Sequence, residues 1–186
     1  MRFLWGFEVV HPHHLELPSS VIIASNHISW FDPPLIGAVM PFEISFLAKA
    51  ELFQNRFFGA LIRQYNALPI VRQATDRKGI NQALAALQAG KSLLLFPEGT
   101  RRGQNIKPGV GMFALQTQKA ILPVYIENSD HLRLCFFRRR KIKIVIGELI
   151  PLDFFGNWEP HKANYQKLAD YTYQKITELK HADHLS

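Results

Sequence analysis

Two runs in this chain are apolar at every position rather than at every second one: Val21-Ile22-Ile23-Ala24 and Leu93-Leu94-Leu95-Phe96. A strand with one wet face alternates, so an unbroken aliphatic run of this length reads as a strand covered on both faces. Parallel sheets with helices on either side provide that environment. Helical patterns fill the intervals: Asp32 to about Met40, Glu51 to about Tyr65, Asp76 to Ala89 and Val110 to Lys119. Further strands are expected over Arg2 to Val10, Glu43 to Ala48, Ala67 to Val71, Ile121 to Glu127, His131 to Phe137 and Lys141 to Gly147. A polar amphipathic helix from about Pro160 to Lys180 closes the chain. Strands alternating with helices predict an α/β fold with a largely parallel central sheet, flanking helices and some antiparallel strands toward the C-terminal half. At 186 residues, 1–186 is expected to form a single domain.

The net charge of +7 biases the surface toward anionic partners. The single cysteine, Cys135, excludes an internal disulfide, points to a reducing compartment and reads as a small buried apolar residue. Met1 to Phe7 is too short for a signal-peptide core, and no window approaches the roughly 18 apolar residues of a spanning helix. A membrane would therefore be met from the side. His11-Pro12-His13-His14 groups three imidazoles around a proline and reads as a solvated turn rather than a metal site. No metal is expected.

The first candidate for chemistry is His27 with Asp32, directly after the strand at Val21. On one continuous helix a five-residue step turns the side chains about 140° apart. A loop is therefore needed, and Asp32-Pro33-Pro34 supplies it, with Asp32 as helix N-cap and proline at the first helical position. A carboxylate on one imidazole nitrogen fixes the tautomer and leaves the other as a general base. Alone, the spacing fits a helix cap beside a loop histidine bonded to backbone somewhat better than a catalytic pair. The second constellation is Pro97-Glu98-Gly99-Thr100-Arg101, also after a buried strand. In a parallel sheet both strand ends share one edge, where ligands bind. Gly99 permits a sharp turn with exposed N–H groups, Arg101 offers a fork for phosphate, and Glu98 could hold that fork or bond a substrate hydroxyl. Arg72, at another strand end, adds a cation or is a surface arginine paired with an acid.

Other features lead elsewhere. Gly90-Lys91-Ser92 resembles the end of a P-loop, but it precedes its strand and the earlier glycine is Ala85. Arg138 to Lys143 reads as a solvated turn entering a strand, with lipid contact second and nucleic acid not expected. A serine hydrolase lacks its Gly-x-Ser-x-Gly elbow, and Ser25 and Ser29 sit too near His27 to be nucleophiles. A non-catalytic binder of acidic lipid would keep the arginines without needing His27 and Asp32.

Taken in order, His27-x-x-x-x-Asp32, then Lys49-Ala50-Glu51-Leu52-Phe53 with Gly59 and Pro69-Ile70-Val71-Arg72, then Phe96 to Arg101, then Leu122-Pro123-Val124 resemble the four blocks of the glycerolipid acyltransferases. The 1-acyl-glycerol-3-phosphate (lysophosphatidate) acyltransferases are the nearest likeness, over about Val21 to Gly147. The resemblance implies acyl transfer from a thioester to the free hydroxyl of a lysophosphatidate-like glycerophospholipid, or of another lipid acceptor, in phospholipid biosynthesis or remodelling. His27 would be the base, Asp32 its orienting partner, and Arg72, Glu98, Gly99, Thr100 and Arg101, with Lys49, the phosphate site. It implies no cofactor beyond the co-substrate, acyl-CoA or an acidic acyl-carrier protein. It also implies a cytoplasmic enzyme peripheral on the inner face of the cell membrane. Family members carry an N-terminal hydrophobic anchor, and here about twenty residues precede Val21. Trp5, Trp30, Phe53, Phe57 and Phe58 would form an apolar rim on an anionic membrane, or else belong to the core.

Overall fold

Both fully apolar runs lie side by side at the centre of the sheet. The structure, a computed structural model, describes residues 7–17, 20–71, 77–103, 105–131 and 141–181. The strands are β1 (Phe7–Val10), β2 (Ile22–Ser25), β3 (Ile44–Lys49), β4 (Ala67–Ile70), β5 (Ser92–Leu95), β6 (Ile121–Glu127) and β7 (Ile142–Ile146). They form one seven-stranded sheet in the spatial order β1-β7-β6-β2-β5-β3-β4. Every pairing from β6 to β4 is parallel. β7 joins β6 antiparallel and β1 joins β7 in parallel, so β1 also opposes the main direction. The antiparallel part expected toward the C-terminal half thus includes the N-terminal strand. The expected strand over His131 to Phe137, with Cys135, falls outside the described residues except for His131, as do Arg72, Arg138 to Arg140, and Trp5.

The helices are α1 (Asp32–Val39), α2 (Arg56–Gln64), α3 (Arg77–Gln88), α4 (Gly109–Thr117), the short α5 (Leu152–Phe155) and α6 (Lys162–Leu179). Alternate residues of the β2 run divide between two cores. Val21 and Ile23 pack with Ile36 of α1 and Ile62 of α2. Ile22 and Ala24 pack with Leu87 of α3, Phe113 of α4 and Leu168 of α6. The result is a three-layer sandwich, and burying each such aliphatic side chain stabilises it by about 1.5–3 kcal/mol.

Two helical expectations change. The helix expected from Glu51 to Tyr65 is a 3₁₀ turn over Ala50–Phe53 followed by α2. Asn55 restarts the helix by accepting the Phe58 N–H at 2.9 Å. Gly59 permits the close packing of the two pieces, since a Cβ there would lie 2.8 Å from the Phe53 carbonyl oxygen. Asp32 is the first residue of α1, and Phe31 occupies the N-cap without a side-chain cap bond. The Asp32 carboxylate turns back to the preceding loop instead. At the N-terminal side, Pro12–Leu15 is a 3₁₀ turn whose His14 Nδ1 bonds the Ile146 carbonyl at 2.9 Å. No cluster of His, Cys, Asp or Glu among the described residues is placed to hold a metal ion.

Candidate active site

β6, β2, β5 and β3 are parallel neighbours, so their carboxyl ends open on one edge. α1 leaves β2 over one face and α4 leaves β5 over the other, which parts the chain into a crevice there. Asn26 closes the end of β2 by imitating a peptide group. Its Nδ2 donates to the Ile126 carbonyl at 2.9 Å, and its Oδ1 accepts the Ile126 N–H at 2.8 Å. The chain then departs from the sheet and presents His27.

His27 Nδ1 lies 2.7 Å from Asp32 Oδ2. A carboxylate only accepts, so the ring proton sits on Nδ1 and Nε2 keeps its lone pair on the groove side. Asp32 is fully buried, and its Oδ2 also accepts the N–H groups of Ile28 and Ser29, each at 2.8 Å. Its Oδ1 accepts the Ser129 hydroxyl at 2.5 Å. Phe96 stacks on the His27 ring, with centroids 4.1 Å apart and planes 19° apart. The ring therefore has one face against carbon, one nitrogen on a buried anion, and only 11% of its side chain exposed.

The second constellation wraps around the same loop. Gly99 adopts φ +68°, a left-handed turn that glycine takes without strain, and Arg102 follows at φ +54°. The Arg102 N–H donates to the His27 carbonyl at 2.7 Å, and its guanidinium pairs with Asp130 at 2.5 Å. Arg101 lies over the Trp30 ring, 3.9 Å from its centroid, leaving the guanidinium edge for a ligand.

Glu98 departs from its expected place. It is buried, does not line the groove, and bonds neither Arg101 nor open solvent; the Tyr173 hydroxyl of α6 donates to its Oε1 at 3.2 Å. Its Oε2 has no hydrogen-bond partner among the described residues. Burial pushes its carboxyl above the ordinary range, an effect only partly offset by the Tyr173 hydroxyl and the His27 backbone. Glu98 thus lies beneath the loop and away from the groove lining.

A groove of about 1230 Å³ runs from His27 between α1, β3 and α2. Its walls include Phe46, Leu52, Ile62 and Phe96, while Lys49, Thr100, Arg101 and Arg102 lie along it. The structure thus brings His27, Lys49, Thr100 and Arg101 to one opening, with Asp32 behind. Trp30, Phe31, Phe58, Leu61 and Tyr65 line it and are well exposed, and Phe57 beside them is 91% exposed. Phe53, expected at this rim, packs partly against the core. Arg102, Ser129 and Tyr173 went unnoticed in the sequence. For Arg102 a signal existed, the second arginine after the Glu98-Gly99-Thr100 turn; for the other two none did.

A model of the acyltransferase family matches residues 6–127. The chain belongs to the acyltransferase family. It is 27% identical over 178 residues to a 1-acyl-sn-glycerol-3-phosphate acyltransferase of Bacillus subtilis, covering 94% of this chain and 88% of that one. It is 35% identical over 121 residues to the enzyme of the same name from Streptococcus pneumoniae, covering 64% and 46%. It is 40% identical over 107 residues to a lyso-ornithine lipid O-acyltransferase of Pseudomonas aeruginosa, covering 55% and 41%. The chain therefore spans most of the Bacillus relative but less than half the length of the other two. The crystal structure of the 1-acyl-sn-glycerophosphate (LPA) acyltransferase PlsC from Thermotoga maritima has the same fold, with a TM-score of 0.71 over 95% of this chain and 73% of that one at 23% identity. The family-matched segment holds His27, Asp32 and the Glu98–Arg102 turn; Ser129 and Tyr173 lie beyond it.

Proposed function

We propose that the chain moves a fatty acyl group from a thioester, acyl-CoA or an acyl-carrier protein, to the free hydroxyl of a lysophosphatidate-like glycerophospholipid. The observation that carries this reading is His27, whose Nδ1 is held by the buried Asp32 while Nε2 stands at the head of an apolar groove edged by cations. His27 Nε2 takes the proton of the acceptor hydroxyl as its oxygen attacks the thioester carbonyl. The tetrahedral intermediate then expels the thiolate, which leaves as thiol with the proton from the imidazolium. No acyl-enzyme forms. Arg101 and Lys49, with the turn at Gly99 and Thr100, receive the acceptor phosphate, and Arg72 enters the proposal from its sequence alone.

The relatives support this substrate class through their names, two of which specify a 1-acyl-glycerol-phosphate and one a lyso-ornithine lipid. The exposed aromatic side chains around the groove, interleaved with Lys49, Arg56, Arg63 and Arg101, suit peripheral contact with an anionic membrane on its cytoplasmic side. No helix among the described residues is long and apolar enough to cross one.

A thiol-release assay tests the reading by crossing acyl-CoA and acyl-carrier protein with lysophosphatidate, other lysophospholipids and a lyso-ornithine lipid. Release that depends on lysophosphatidate is expected, and His27→Ala should abolish it while the chain remains folded. Near wild-type turnover by that variant, or an acyl-enzyme burst, sinks the mechanism.

A further inference from the structure

We infer that Ser129 is a positioning residue for this reaction, acting on His27 through Asp32; the inference rests on the general-base reading above. Ser129 is fully buried, and its hydroxyl reaches across 97 residues to Asp32 Oδ1 at 2.5 Å. Asp32 Oδ2 is already occupied by the imidazole and two backbone N–H groups. Among the described residues, Ser129 is the side chain that answers the other oxygen. Both oxygens are then tied, the carboxylate cannot rotate or exchange them, and the plane of the His27 ring is set. The hydroxyl also takes up part of the carboxylate charge, which moderates its hold on the Nδ1 proton.

The backbone is shaped to deliver this contact. β6 lies beside β2, and Asn128 turns the chain at the end of β6 with φ +62°. Asn128 Nδ2 pins that turn by donating to the Lys141 carbonyl at 2.9 Å. The residue after Ser129, Asp130, holds Arg102, whose backbone N–H holds the His27 carbonyl. Consecutive residues 129 and 130 therefore grip the pair from two sides. Among the described residues, the charged groups around His27 are Asp32 from α1, Glu98, Arg101 and Arg102 from the turn after β5, Lys49 from β3, and Asp130 on Arg102.

The test uses the full chain with Ser129→Ala and with Ser129→Cys, which puts a larger and weaker donor at the same position. Turnover is measured with acyl-CoA and lysophosphatidate, and the downfield Nδ1–H resonance of His27 is recorded without substrate. For Ser129→Ala, kcat should fall about 10-fold at an unchanged KM. The acid limb of the kcat profile should move to higher pH, because a less neutralised carboxylate favours the imidazolium. The resonance should shift, with Ser129→Cys intermediate in every readout. Wild-type kcat and acid limb in Ser129→Ala overturn the inference. So does an equal loss in both variants, carried by KM or melting temperature, with the resonance unmoved; if Ser129→Ala fails to fold, the Ser129→Cys resonance decides alone. The resonance needs no turnover, so a shifted signal in a protein inactive toward every thioester supports the coupling while the acyl-transfer reading fails.

Discussion

Asp32 holds His27 from a position with no exposed surface, its Oδ2 2.7 Å from Nδ1 and its two oxygens receiving four donors between them. A charge so placed is tolerated because both of its oxygens are hydrogen-bonded. The same bonds that stabilise it also aim the imidazole.

Asp32→Asn tests that double role. In one orientation the amide N–H groups face the His27 ring and the Ile28 and Ser29 N–H groups; in the other the amide oxygen keeps those bonds and Nδ2 donates to the Ser129 hydroxyl. In both the imidazolium loses the anion that supports it, and kcat should fall about 10²- to 10⁴-fold. Unfolding free energy should fall by about 1–3 kcal/mol in urea titrations. A kcat within about threefold of wild type shows that the carboxylate is not needed.

Glu98 gives a pH dependence whose sign follows from its burial. Its carboxyl is pushed above the ordinary value of 4.5 in the fold, so the folded chain binds this proton more tightly than the unfolded chain does. The stability it contributes is fully present below the ordinary value and is lost as pH rises through the folded one. Glu98→Gln removes the titration. Its melting temperature minus that of wild type should therefore rise on going from about pH 4.5 to about pH 7, read by thermal unfolding. A constant difference across that range refutes the buried titration.

Phe57 is 91% exposed on α2 and lies outside the groove lining. If this face rests on a membrane, Phe57→Ser should weaken sedimentation with anionic vesicles by about 10- to 100-fold, from the loss of roughly 1.5–3 kcal/mol of apolar burial. The melting temperature should not fall, since the ring supports nothing in the fold. Undiminished vesicle binding removes α2 from the docking face.

Much of the sheet was legible because fully apolar runs have one common use. β6 was expected over Ile121 to Glu127 and is found there, and β2 and β5 lie within one residue of their expected bounds. The error at residues 51–65 has a local cause: the apolar periodicity runs through Asn55, whose side chain nevertheless caps a new helix, and Gly59 admits a close approach that no periodicity encodes.

By itself the sequence determined what lies close along the chain: the strand ends, the Pro33-Pro34 helix start that leaves His27 and Asp32 in reach, and the glycine turn before Arg101. Which way Glu98 points and what completes Asp32 were decided only by the tertiary structure. Tyr173 and Ser129 reach them across 75 and 97 residues. Such contacts exist because β6 packs beside β2 and α6 packs over the sheet, and the position of a hydroxyl after that packing leaves no local pattern. The opening pair, legible as a spacing, is completed only when the end of β6 brings Ser129 to its carboxylate.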